Sequence, residues 1–88
     1  MNIYLSKDFI KAFKKLTKNN FLLKDKIKTK IKFFSENPRH PSLRLHKLKG
    51  KMIENWSFSV EGDIRIIFTY IDDGVLFVDI GSHKEVYK

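Results

Sequence analysis

The spacing of apolar residues changes along this 88-residue chain from a helical period to a period of two. Between residues 7 and 35, apolar side chains recur every three or four positions, as on one face of a helix. After residue 55 they alternate with polar side chains, which is typical of strands that bury one face. Helices followed by a run of strands predict an α+β fold of two packed layers.

Two amphipathic helices are predicted in the first part of the chain. Ser6 is a suitable N-cap for a helix over residues 7–18. A second helix is predicted over about residues 21–35. It ends before Pro38, because the residue that precedes a proline disfavours helical backbone.

Four strands are predicted, one before the helices and three after them. The first spans residues 2–5, and turns at Glu61-Gly62 and Asp73-Gly74 separate the last three. Because no helix separates these three strands, we expect an antiparallel meander. The predicted order is β-α-α-β-β-β in one domain over residues 1–88, with the helical hairpin packed on a small antiparallel sheet.

The charge is distributed unevenly along the chain. The net charge is +8, with 15 Lys and Arg against 3 Asp and Glu in residues 1–51, and 3 against 7 in the remainder. A basic first half favours a polyanionic partner, chiefly nucleic acid or the ribosome. A lysine-rich solvated surface is the alternative interpretation.

Cysteine is absent from the sequence, which excludes a disulfide scaffold, a Cys-based zinc site and a thiol nucleophile. A domain this small without disulfides is expected in a reducing cytoplasm. No apolar stretch reaches the length needed to span a membrane, so no membrane partner is expected. The histidines and carboxylates show no metal-ligand spacing, and we expect neither a metal nor a cofactor.

Metal-free RNA cleavage fits the polar residues better. The RNA 2′-hydroxyl can attack the adjacent phosphate if a base, an acid and cations for the developing charge are close by. Histidine titrates near neutrality and arginine matches paired phosphate oxygens. His46 lies in the basic loop 38–51, and His83 follows the last strand. In a meander, residues 63–65 and 79–83 can be neighbours.

Less specific interpretations of the same residues remain open. His46 can be a loop residue that bonds the backbone, and Tyr87 can pack on the sheet. Arg65, which interrupts an apolar strand, can pair with Asp63 or Asp79.

Several segments in fixed order resemble the RelE/ParE toxin superfamily, and within it the YafQ-like mRNA interferases. The likeness covers nearly the whole chain. The segments that carry it are residues 45–50 (Leu-His-Lys-Leu-Lys-Gly), 56–57 (Trp-Ser), 63–68 (Asp-Ile-Arg-Ile-Ile-Phe), 80–83 (Ile-Gly-Ser-His) and 85–87 (Glu-Val-Tyr).

The resemblance implies a cytoplasmic bacterial toxin that cleaves mRNA on the ribosome and is neutralised by a cognate antitoxin. We expect a monomer when the toxin is free and a hetero-oligomer with the antitoxin. The implied catalytic residues are His46, Asp63, His83 and Tyr87. Arg65, with Lys47, Lys49 and Lys51, is implied to bind the substrate phosphate.

The chain departs from the YafQ-like pattern at two places. Ser59 stands where that pattern has another catalytic histidine, and Asp79 and Ile80 occupy a region where relatives often have a basic residue. Two alternatives therefore accompany the nuclease hypothesis. One is a toxin of the same fold that poisons gyrase, and the other is an inactive module that binds RNA or protein.

Overall fold

A computed structural model describes residues 1–48 and 54–86 of the chain. The elements, in order, are β1 (Asn2–Leu5), α1 (Lys7–Thr17), α2 (Phe21–Glu36), a single 3₁₀ turn (Pro41–Leu43), β2 (His46–Lys47), β3 (Asn55–Glu61), β4 (Ile64–Ile71), β5 (Gly74–Ser82) and α3 (His83–Val86). The α+β architecture predicted from the apolar periodicity is confirmed, and each long helix ends within one residue of its predicted bound.

The strands form one sheet in the order β1-β5-β4-β3-β2. The predicted antiparallel meander is present as β3, β4 and β5. The sheet is wider than predicted, because β1 pairs in parallel with one edge of the meander and β2 pairs antiparallel with the other. The complete sheet is therefore mixed rather than purely antiparallel.

The turn before β5 differs by one residue from the prediction. Ile71 pairs with Gly74, so the turn residues are Asp72 and Asp73. Gly74 belongs to β5 and lies opposite Asn2, where a Cβ atom would overlap the Asn2 carbonyl oxygen. The absence of a side chain at Gly74 therefore allows β1 to pack closely against β5.

Helices α1 and α2 cover one face of the sheet and enclose the main core. Phe34 of α2 is fully buried, and its ring stacks on Phe58 with centroids 4.2 Å apart. It also meets Phe68 edge to face at 5.1 Å. Aromatic pairs at these separations contribute about 0.5–1.5 kcal/mol each beyond the area they bury.

The opposite face of the sheet, here called the open face, carries a smaller apolar cluster. Val86 of α3 packs with Leu48 and Ile67, and Val78 packs against these three. The segment that follows β5 therefore turns back as α3 and covers part of this face. In the part of the chain that the structure describes, no helix is long and apolar enough to cross a membrane.

Candidate active site

Arg65 lies at the centre of the polar side chains on the open face. Its neighbours Ile64 and Ile66 belong to the helix-side core, and side chains alternate along a strand, so Arg65 points away from the helices. Arg65 is only 7% exposed, although its guanidinium group is always charged. Burial of such a group is costly unless hydrogen bonds compensate for the lost hydration.

Within residues 1–48 and 54–86, the oxygens that accept hydrogen bonds from the Arg65 guanidinium are neutral. Nε and Nη2 both donate to Ser57 Oγ, at 3.1 and 3.0 Å. Nη1 donates to Ser59 Oγ at 2.6 Å. Nη2 also donates to the main-chain carbonyl of Arg44 at 2.8 Å. These bonds fix the orientation of the guanidinium plane.

The local backbone explains how these acceptors reach Arg65. Ser59 is the cross-strand partner of Arg65, and Ser57 lies two positions earlier on the same face of β3. Arg44 ends the 3₁₀ turn with left-handed backbone, at φ 49° and ψ 48°. That conformation directs its carbonyl group to the guanidinium.

His46 joins the cluster through β2. It pairs with Ser57, so its side chain lies on the open face beside Arg65. Nδ1 of His46 is 3.4 Å from Nη2 of Arg65, and the guanidinium can donate to Nδ1 when that nitrogen carries no proton. The imidazole is exposed. An exposed imidazole beside a held guanidinium supplies a proton-transfer group and a cation at one place.

The predicted closeness of residues 63–65 and 79–83 is confirmed. Arg65 pairs with Gly81 across β4 and β5, and the N–H of His83 donates to the carbonyl of Asp63 at 2.9 Å. His83 begins α3 and is exposed, and Asp63 is exposed in the turn before β4. Both residues therefore border the end of the sheet where Arg65 lies.

Of the other predicted site residues, Lys47 lies within the described part of the chain. Lys47 pairs with Trp56, which packs on the helix-side core, so it projects from the face opposite to that of His46. Lys49, Lys51 and Tyr87 lie outside the described residues.

The sequence suggested Asp63 and Asp79 as ion-pair partners of Arg65, and the structure tests both pairings. Asp79 accepts a hydrogen bond at Oδ1 from the N–H of Ile80, at 2.8 Å. Within residues 54–86 the structure shows no ion pair between Arg65 and either Asp63 or Asp79. In the described part of the chain, the guanidinium instead donates to the hydroxyls of Ser57 and Ser59 and to the Arg44 carbonyl.

Ser57 and the Arg44 carbonyl were not predicted as parts of the site. The available signal was the alternation in β3, which places Ser57 and Ser59 together on a polar face. A buried arginine on the neighbouring strand requires such acceptors. In the described part of the chain, no three histidine or acidic side chains meet in a group able to hold a metal ion.

Comparison with known proteins decides the family. The family model described as the bacterial toxin of the type II toxin–antitoxin system, YafQ, matches residues 1–88. This chain belongs to the YafQ family. It is a toxin of the type II toxin–antitoxin class, which confirms the superfamily and the branch that the sequence motifs indicated.

Solved structures agree with the family assignment. A copper-bound mutant toxin from Helicobacter pylori shares 27% identity with this family member, with a TM-score of 0.81 over 99% of both chains. YafQ from Escherichia coli strain BL21(DE3) shares 21% identity, also with a TM-score of 0.81, over 99% of this chain and 98% of its own. YafQ in the E. coli DinJ–YafQ complex superposes with a TM-score of 0.78 at 21% identity, over 99% of this chain and 98% of its own. Among curated proteins, none matches the sequence.

Proposed function

We propose that this toxin is a metal-independent endoribonuclease that cleaves mRNA on the ribosome in the bacterial cytoplasm. The observation that carries the proposal is the 3.4 Å approach of His46 to Arg65 on the open face. Together these two side chains supply what attack by an RNA 2′-hydroxyl requires, a group that moves a proton and a cation beside the phosphate.

In the proposed reaction, the 2′-hydroxyl loses its proton and its oxygen attacks the adjacent phosphorus. The bond to the 5′-oxygen breaks, and that oxygen receives a proton. His46 and His83 share the two proton transfers, and Asp63 orients a histidine or serves as the base. Arg65 stabilises the charge that develops on the phosphate oxygens. Tyr87 stacks on a base or aligns the 2′-hydroxyl.

The basic half of the chain supports an RNA partner. Its Lys and Arg residues attract the phosphate backbone without regard to sequence, and this attraction weakens as salt rises. Lys49 and Lys51 follow His46 closely in the sequence and are proposed to bind the substrate phosphate with Arg65. Lys47, on the other face, contributes to the general field rather than to the contact at Arg65.

A His83→Ala variant tests the proposed chemistry. Brief induction of the wild type is expected to arrest growth and leave cleaved mRNA, whereas His83→Ala leaves mRNA intact and still binds the antitoxin. His40→Asn is the matched control, because it also removes an imidazole outside the cluster, while asparagine can still cap the 3₁₀ turn by accepting from the N–H of Ser42. Full toxicity of His83→Ala would remove His83 from the scheme. Intact mRNA with broken DNA after wild-type induction would favour a gyrase poison.

A cognate antitoxin is the proposed protein partner, as in the E. coli toxin–antitoxin complex. A groove of about 460 Å³ between β1, α1 and α2 offers it a surface. Leu5 and Ile10 in this groove are exposed apolar side chains, and Lys14, Lys24 and Lys28 border them. The matching occupant is an acidic segment with an apolar face. A second copy of this chain would bring like charges together.

Substitutions in the groove test the antitoxin surface, with the protein encoded beside this gene co-expressed as the partner. Ile10→Asp and Lys28→Glu are both expected to weaken the complex at least tenfold. Lys11→Glu, on α1 but outside the groove, is the control. Unchanged affinity in both groove variants would place the antitoxin elsewhere. Loss of RNA binding in Lys28→Glu with an intact antitoxin complex would assign the groove to RNA.

A further inference from the structure

We propose that Ser59 binds the same substrate phosphate as Arg65, through its own hydroxyl proton. This inference rests on the proposed function and extends it to a residue that stands where the YafQ-like pattern has a histidine. Ser59 would act as a hydrogen-bond donor to one non-bridging phosphate oxygen and would take no part in proton transfer.

The hydrogen bonds of Ser59 leave its proton available. A serine hydroxyl has one donor and two acceptor positions. Arg65 Nη1 uses an acceptor position, at 2.6 Å from Oγ. Across residues 1–48 and 54–86, no acceptor receives the Ser59 hydroxyl proton.

The direction of that hydrogen bond makes Ser59 a donor and not a base. A cationic N–H that donates to Oγ draws electron density from the oxygen and so weakens it as a proton acceptor. The same polarisation strengthens the O–H as a donor, by about 10–30% per bond in a hydrogen-bonded chain. Proton transfer therefore stays with the histidines, while Ser59 presents a positive end to an anion.

Burial separates Ser59 from its neighbour Ser57. Ser59 is only partly buried on the open face, so a phosphate can reach it. Ser57 is fully buried at 0% exposure and accepts from Arg65 twice. Ser57 is thus a positioning residue for the guanidinium, and the two serines form a matched pair for experiment.

The test measures cleavage of mRNA on programmed ribosomes, with sulfur replacing one or the other non-bridging oxygen at the cleaved phosphate. Because sulfur is a poor hydrogen-bond acceptor, the wild type is expected to cleave one of the two diastereomers more slowly. Ser59→Ala is expected to lower kcat/KM about 10–100-fold on the all-oxygen substrate, because the variant loses one hydrogen bond to a charged phosphate oxygen. It is also expected to reduce the preference between the diastereomers, because only the contact of Arg65 with the phosphate oxygens then remains.

Two comparison variants make the result specific. Ser59→Thr keeps the hydroxyl and should retain the rate and the preference. Ser57→Ala loosens Arg65 but leaves the Ser59 proton in place, so it should be slower and yet keep the preference. A preference of unchanged size in Ser59→Ala would overturn the direct contact, and so would wild-type kcat/KM in that variant.

Binding distinguishes failure of this inference from failure of the nuclease proposal. The probe is an RNA oligonucleotide in which every 2′-hydroxyl is methylated, so that it cannot be cleaved. When the wild type cleaves no RNA in the first assay, binding decides. If Ser59→Ala binds this probe more weakly than the wild type, and Ser59→Thr binds it equally well, the phosphate contact is still supported. Equal affinity in the wild type and in Ser59→Ala would overturn it.

Discussion

The guanidinium of Arg65 donates to the main-chain carbonyl of Arg44 across a distance of 2.8 Å, and Arg44 adopts left-handed backbone at φ 49°. Left-handed backbone costs a residue other than glycine about 1–2 kcal/mol. The carbonyl that receives Arg65 thus depends on an unfavourable local conformation. The loop before β2 and the buried arginine of β4 are coupled through this contact.

Substitution of Arg44 by a β-branched residue should destabilise the fold. Arg44→Val is expected to lower the free energy of unfolding by about 1–2 kcal/mol relative to Arg44→Asn, because asparagine tolerates left-handed backbone. Both variants remove the same charge, so their difference isolates the backbone. Urea denaturation measures it. Equal midpoints for the two variants would mean that residue 44 does not need this conformation.

The faces of the elements could be predicted from the sequence because local patterns determine them. Apolar spacing gave α1 and α2, and alternation placed Ile64 and Ile66 opposite Arg65. Ser6 was recognised as an N-cap, and its Oγ accepts from the N–H of Phe9 at 3.0 Å. Each of these features depends on residues that are close in the chain.

Features that depend on distant pairing were beyond the sequence pattern. The pairing of β1 with β5 joins residues about seventy positions apart, and no local signal gives its direction. Strand β2 has two residues, too few to show a period, so the loop gave no reason to separate His46 from Lys47. The acceptors of Arg65 come from residues 44, 57 and 59, whose convergence follows only from the sheet register.

The two described turn-region glycines are expected to resist substitution for different reasons. Gly74→Ala should lower the free energy of unfolding by about 2–3 kcal/mol, because the Cβ of the alanine would overlap the Asn2 carbonyl. Gly62 has φ 53° and open space around it, so Gly62→Ala should cost about 1 kcal/mol. Gly62→Asn should be nearly neutral, whereas Gly74→Asn should be as damaging as alanine. Thermal unfolding measures all four, and a tolerated Gly74→Ala would contradict the close approach of β1.

Ser6 is expected to contribute more stability than an ordinary helix cap. Besides capping α1, its Oγ donates to the carbonyl of Val78 at 3.1 Å and so ties the helix to β5. Ser6→Ala should cost about 2 kcal/mol, at the upper end for a cap. Asn20→Ala, which removes the exposed cap of α2, should cost about 1 kcal/mol. Ser6→Thr keeps both bonds and should stay close to the wild type. Equal losses for Ser6→Ala and Asn20→Ala would show that the bond to Val78 adds nothing.

Tyr4 is expected to titrate at higher pH than an ordinary tyrosine. Its hydroxyl donates to the Asp73 carboxylate at 2.7 Å, and this hydrogen bond, followed by the nearby negative charge, raises the pKa of Tyr4 above 10.0. The neutral phenol is therefore favoured in the folded state. The hydrogen bond between Tyr4 and Asp73 therefore stabilises the fold at pH values below the ordinary tyrosine pKa. This stabilisation is lost as the pH rises through the raised pKa of Tyr4 in the folded state. The tyrosinate absorbance of the wild type minus that of Tyr4→Phe gives the pKa of Tyr4. Asp73→Asn should return that pKa toward 10.0. If Tyr4 titrates identically in the wild type and in Asp73→Asn, the hydrogen bond between Tyr4 and Asp73 does not form in solution.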